Sequence, residues 1–289
     1  MVTLSQTTFG QSRAGRAIRL GTRAVTSPAD ELGRQVTFYW LMLRSVPHTL
    51  RYYRRETMVV LTDITFGNGK VVVGGGTVSV LVLMGLAVGG SIGIEGYSAL
   101  NMVGMGPLTG FVSAYANTRE MAPMIAAIGF AIQAGCRITA EIGAMRINEE
   151  IDALEAMAVE PIPFVVTTRV IAALITTVPL YLLTLILSYI SCALVVNVIH
   201  GQSSGTYYHY FEAFIQPSDV VFSIIKVGVF VVLVTLIHSY QGFYAAGGPE
   251  GVGRASGQAI RASLIVVVIA DMMLTLTFWG LDVGIRISG

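Results

Sequence analysis

Six of the chain's seventeen acidic residues fall in one stretch, EIGAMRINEEIDALEAMAVE, residues 141–160. Wound into a helix, Glu149, Asp152, Ala153 and Ala156 share one face, and Ile151, Leu154 and Met157 form an apolar edge beside Glu150. Carboxylates next to an apolar edge do binding chemistry: they meet Arg or Lys on a partner while the apolar side chains enter its groove. A solvated loop between helices accounts for the same composition.

A second set, Arg119, Glu120, Lys226 and Asp271, stands in or beside long apolar runs. Charge at membrane depth is costly, so these residues are expected to face a subunit interface or a lipid-headgroup cavity. An unpaired carboxylate at mid-span costs about 2.5–3.5 kcal/mol, so Asp271 requires a partner. Lys226 is a candidate, because antiparallel order places the two within roughly 5 Å in depth at 1.5 Å per residue. Protonation of Asp271, or hydrogen bonds to Ser and Thr on neighbouring helices, are the other solutions.

Other chemistries find no support. GNGKVVVGGG, residues 67–76, lacks the spacing of a phosphate-cradling loop, because Lys70 is followed by Val71 and not by Ser or Thr. GGPEGVGR, residues 247–254, reads as a turn between helices. His48, His200, His209 and His238 have no partners at metal-ligand spacing, and no nucleophile elbow is present. No catalytic residue, no metal and no cofactor on this chain are expected. Cys136 and Cys192 lie in apolar stretches and read as packing residues.

The elements that position these residues follow from composition. The chain is 54% hydrophobic and 12% charged with a mean hydropathy of +0.70, whereas soluble domains carry about 25% charged residues. A spanning helix needs ~20 mostly apolar residues. Val71 to Ile94, Val170 to Ile199, Val220 to Tyr240 and Ala262 to Leu281 fit, and a further span lies between Gly106 and Gly143, where Arg119–Glu120 and Arg137–Glu141 bring charge into the membrane zone. The expected fold is therefore all-α, with five transmembrane helices.

Lys and Arg are retained on the cytoplasmic side. Arg13, Arg16, Arg19, Arg23, Arg34, Arg44, Arg51, Arg54, Arg55 and Lys70 precede the first span, whereas the connections 95–118 and 200–219 carry neither residue type. The N-terminus is predicted cytoplasmic and the C-terminus external, with 144–169 and 241–261 as inner loops. The charge balance gives no support for nucleic-acid binding. Arg34 to Glu56 reads as an interfacial amphipathic helix, with Arg44, His48, Arg51 and Arg55 on one side and Tyr39, Leu43, Val46, Leu50 and Tyr53 on the other. Pro47 is expected to bend or split it. The predicted divisions are a cytoplasmic segment 1–33, an interfacial helix and connector 34–70, and a transmembrane domain 71–289. Gly85, Gly89 and Gly93 recur every fourth residue, which suits close helix packing or room for a lipid chain.

The runs Arg119-Glu120-Met121-Ala122-Pro123, TAEIGAMR (139–146) and EEIDALEAMAVEP (149–161) resemble the MlaE/YrbE family of ABC-transporter permeases. The likeness covers roughly residues 35–282 and departs from the commoner pattern at Ala122, Ala158 and Gln133-Ala134-Gly135-Cys136. YYHYFEAFIQPSD and YQGFYAAGGPEGVGRA are similar to actinobacterial Mce-associated YrbE permeases of the B type. The resemblance implies that residues 144–161 form a cytoplasmic coupling helix. It implies as partners a second YrbE-type permease in an A–B heterodimer, a cytoplasmic ABC ATPase dimer holding ATP and Mg, and Mce-domain proteins forming an external conduit. It also implies a lipid cargo of fatty or mycolic acids, sterols or related molecules, imported across the plasma membrane. An ion-coupled secondary transporter working through Asp271, and a scaffold that only anchors Mce proteins, are the rival classes.

Overall fold

The computed structural model describes the backbone of residues 13–67 and 76–280 and the side chains of 32–67 and 76–280. Lys70, the Val71 start of the first expected span, most of the Gly-rich stretch, the side chains of Arg13, Arg16, Arg19 and Arg23, and Leu281 lie outside the described residues. The chain divides into two compact units, residues 1–44 and 45–289.

Helix and loop alone build the described residues. The helices are α1 (Arg13–Tyr52), α2 (Arg54–Phe66), α3 (Gly76–Asn101), α4 (Gly106–Ile147), α5 (Glu150–Ala156), α6 (Ile162–Ile199), α7 (Ser204–Phe214), α8 (Pro217–Phe243) and α9 (Gly248–Trp279). Five of them, α3, α4, α6, α8 and α9, are long and apolar enough to cross a membrane. The chain is a multi-pass, all-α membrane protein. In lipid, helices satisfy every backbone group within the segment, which is why long apolar runs take this form.

Several spans are longer than hydropathy predicts. The inner loop expected at 241–261 shrinks to the residues between Phe243 and Gly248, because α9 begins at Gly248. Gly251, Ala255, Ala259, Ser263, Val267 and Asp271 are buried at four-residue spacing, so small side chains and not hydrophobicity hold the first turns of α9 in the bundle. The expected loop 144–169 likewise yields to the end of α4, the short α5 and the start of α6 at Ile162. Within 200–219, read as a connection, α7 seats Tyr207 at 1% exposure.

Pro47 does not split the segment expected to lie at the interface; the break falls at Tyr53, between α1 and α2. There Arg54 Nε donates to the carbonyl of Leu50 at 2.6 Å, capping a group near the end of α1. Along α1, Trp40 and Leu43 are exposed in the first unit. In the second, Leu50 is exposed, while Ser45 and Thr49 bond to α6 through Thr167 Oγ1 (2.6 Å) and Pro163 O (3.1 Å).

The Gly85, Gly89, Gly93 ladder is occupied by α6. A Cβ on Gly85 would meet Thr184 O at 2.5 Å, one on Gly93 would meet Val195 Cβ at 2.8 Å, and one on Gly89 would collide with Ser188 O. Close backbone packing is the role of these glycines, and no lipid chain fits there. Around this contact Leu81, Phe130, Tyr181, Leu185 and Phe230 form the buried centre of the second unit.

Candidate functional site

All four charged residues expected at membrane depth meet in one cluster. Arg119 and Glu120 lie in a π-helical stretch of α4, Ser113–Met121, whose wider turn is a recurrent feature of functional sites. Lys226 stands seven residues after Asp219 on α8, and Asp271, Thr275 and Trp279 follow at four-residue intervals on α9, so each set shares a helix face.

Lys226, fully buried, commits its three ammonium hydrogens: Nζ donates to Arg119 O at 2.9 Å, Glu120 Oε2 at 2.8 Å and Thr275 Oγ1 at 2.7 Å. The Asp271 carboxylate also lies 2.8 Å from Nζ through Oδ1. That contact is ionic, because Oδ1 itself accepts no hydrogen bond. The cationic partner that Asp271 requires is thus Lys226, which Glu120 shares. The Thr275 hydroxyl lies 2.8 Å from Glu120 Oε1 and 2.9 Å from Asp271 O, and donates to one of them.

Arg119 forms the other half. Its Nε donates to Asp219 Oδ2 at 2.9 Å, and its guanidinium carbon sits 3.9 Å from the Tyr115 ring centre and 5.0 Å from that of Trp279. Trp279 Nε1 donates to Asp219 Oδ1 at 2.8 Å, so both carboxylate oxygens are held. Arg119 and Asp219 side chains are 11% and 4% exposed. Within this chain the charges neutralise one another: Lys226 is fully buried, Arg119, Asp219 and Asp271 are nearly so, and Glu120, one-third exposed, keeps an open side. Sequence reading missed Asp219, Thr275 and Trp279. The signal for the latter two was their i, i+4, i+8 spacing from Asp271, whereas Asp219 was absorbed into a loop.

A second ionic group ties α2, α4 and α6 together. Arg137 pairs with the Asp63 carboxylate, donates to Asp63 O at 2.9 Å and to Glu141 Oε1 at 2.7 Å, and Glu141 Oε2 lies 3.4 Å from Arg169. Near it, Thr139 Oγ1 lies 2.8 Å from His238 Nδ1, and Gly135 leaves space for the imidazole, since a Cβ there would stand 2.8 Å from the ring.

The acidic segment forms α5, shorter than the helix expected over 144–161. Glu149 precedes it and Ala158 follows it, each at φ +60°, so two left-handed residues bracket the helix. Arg146 donates to Asp152 Oδ1 at 2.7 Å. Glu149, Glu150, Asp152, Ala153, Glu155 and Met157 are exposed. The proposed apolar edge is corrected: Ile151 is wholly buried and Leu154 packs against the core of this chain, because the turn at Glu149 rotates that side inward. Met157 alone remains outside. Among the described residues no group of His, Cys, Asp or Glu could hold a metal ion.

Residues 67–277 match the family described as Permease MlaE. The chain is 30% identical over 202 residues to the intermembrane phospholipid transport system permease protein MlaE of Haemophilus influenzae, covering 70% of this chain and 77% of that one. A probable ABC transporter permease protein of Rickettsia bellii is 35% identical over 162 residues, or 56% of this chain. The match spans 62% of that relative's length. The protein TRIGALACTOSYLDIACYLGLYCEROL 1 of Arabidopsis thaliana is 30% identical over 203 residues, 70% of this chain and 58% of that protein.

Proposed function

The chain belongs to the MlaE permease family, and on that premise we propose that it is the membrane-spanning permease subunit of an ABC-type lipid transporter. The relatives' names supply the transporter class and the phospholipid connection. The chain itself hydrolyses nothing in this reading; ATP and Mg sit on a partner ATPase.

One observation carries the coupling step: α5, joined to two spans by short turns, presents Glu149, Glu150, Asp152 and Met157 outward and anchors Ile151 inward. A force on the exposed acidic face therefore reaches α4 and α6 through a packed side chain. Basic residues on an ATPase would meet this face, and the positive-inside bias places it in the cytoplasm with the N-terminus. A second YrbE-type permease, Mce-domain proteins outside and import of a fatty, mycolic, sterol-like or related lipid complete the arrangement. An ion-coupled carrier working through Asp271 is disfavoured, because Lys226 occupies that carboxylate and no exposed path to it is needed for the pair.

Replacing Glu150 and Asp152 by Lys reverses the charge of the exposed face without touching the core. The ATPase should then co-purify poorly while the permease still inserts in the membrane. Unchanged co-purification would contradict the coupling role.

A further inference from the structure

Arg51, Arg54 and Arg55 stand where α1 gives way to α2, at i, i+3 and i+4 spacing, so they crowd one side of the chain. All three are exposed, and among the described residues none has a carboxylate partner. Arg54 uses Nε to reach Leu50 O at 2.6 Å, which leaves both its terminal nitrogens to donate elsewhere. The arginines that face the bundle are matched by acids: Arg119 by Asp219, and Arg137 and Arg169 by Glu141.

The contacts of α2 with α6 fix how deep these residues sit. At the near end the rings of Tyr53 and Phe164 lie 5.4 Å apart, and at the far end Thr65 Oγ1 bonds Thr176 Oγ1 at 3.3 Å. Both helices advance twelve residues between these contacts, so α2 runs beside α6 in the same direction for about 18 Å. The uncharged run of α6 begins at Val170, directly after Arg169 and midway between the two contacts. By the same rise, Tyr53 lies about 9 Å outside that boundary and Thr65 about 9 Å inside it. Arg54 and Arg55 therefore stand at headgroup level, and the rest of α2 descends into the leaflet on the α5 side. Its exposed side suits that course. Met58, Val59 and Phe66 are 59%, 54% and 52% exposed, and the Thr62 hydroxyl donates back to Val59 O at 2.8 Å.

We propose that Arg51, Arg54 and Arg55 bind the phosphate of an anionic phospholipid in that leaflet, with its acyl chains lying on Met58, Val59 and Phe66. Guanidinium groups hold phosphate by parallel, charge-assisted hydrogen bonds. The pairing of charge with depth selects a lipid as the phosphate carrier: an aqueous protein partner would match the arginines but could not follow the apolar stripe into the leaflet. A zwitterionic lipid meets the same stripe, but its own cation offsets the attraction of the arginines. Each basic residue near an anionic surface is worth about fivefold in lipid concentration. The site concerns the seating of α2 in the bilayer and does not rest on the transport reading.

The test uses the purified transporter complex in phosphatidylcholine nanodiscs with a trace of a lipid bearing a photoreactive acyl chain. The probe is phosphatidylglycerol in one arm and phosphatidylcholine in the other, and labelled peptides are mapped by mass spectrometry. The stretch Ile186–Leu194 of α6, uncharged and with Ile186, Ile190 and Leu194 exposed, serves as the reference. Relative to it, the anionic probe should label Met58–Phe66 about fivefold more than the zwitterionic one. Arg54→Gln combined with Arg55→Gln should bring that ratio near one while reference labelling stays as in the wild type. Arg55→Gln alone keeps the Arg54 bond to Leu50 and should lower the ratio, so a misfolded double variant leaves the test intact. Equal labelling by both probes in the wild type, or a preference that survives both substitutions, overturns the proposal. So does absence of labelling by either probe, as when another chain covers α2. Loss of the preference in millimolar inorganic phosphate would reveal a site for the free anion and overturn the assignment to lipid.

Discussion

At the scale of single residues, Lys226 is the pivot of the buried charge cluster. Its three hydrogens go to Arg119 O, Glu120 and Thr275, while Asp271 is held by charge alone. This asymmetry ranks substitutions. Lys226→Met strips the cation from two carboxylates and should destabilise the protein by about 3–5 kcal/mol, the cost of breaking a buried pair. Asp271→Asn leaves the Lys226–Glu120 bond intact and should cost less, about 1–3 kcal/mol, the range for an altered buried polar contact. Thermal unfolding of the purified variants checks the order; an Asp271→Asn variant less stable than Lys226→Met would refute it. For transport, Asp271→Lys and Lys226→Asp should each abolish activity, and the double swap should restore part of it. No restoration would argue against a functional pair.

At the scale of elements, long apolar runs made the spans legible and small or polar residues hid their ends. Hydropathy located α6 and α8 because Leu, Ile and Val dominate them and Lys226 is the one Lys or Arg in the middle of either. It missed the first turns of α9, where Gly251, Ala255 and Ala259 pack by shape. It also missed α7, too short to span. The acidic segment was legible as a helix, but not which side it buries, because that depends on the left-handed turn at Glu149. The Asp271–Lys226 pairing could be argued from depth, whereas Asp219 could not, since nothing local links it to Arg119 across 100 residues. Two predictions follow from these local geometries. Ala158 at φ +60° bears a Cβ in the left-handed region, where Ala costs roughly 1–2 kcal/mol. Ala158→Gly should therefore raise the melting temperature slightly, and a fall would show that its methyl contact outweighs the strain. Gly89→Leu should disrupt the α3–α6 contact, because its side chain would enter the backbone of Ser188. Undiminished yield of folded protein would contradict that packing.

At the scale of the whole molecule, five spans and a basic N-terminal region imply that the α7 end and the α5 end lie on opposite sides of the membrane. With Cys136 and Cys192 replaced by alanine, a cysteine at Ser204 should react with an impermeant thiol reagent from outside, and one at Glu250 only after permeabilisation. The reverse pattern would invert the assignment and place the acidic face of α5 where no ATPase can reach it. The central claim is that this chain carries lipid across a membrane at the expense of ATP hydrolysed elsewhere. Its most direct test is lipid transfer in proteoliposomes holding the complete complex, beside complexes lacking this chain or carrying an ATPase unable to hydrolyse ATP. Transfer that needs both the chain and hydrolysis is the predicted result; transfer that proceeds without either one would contradict the account.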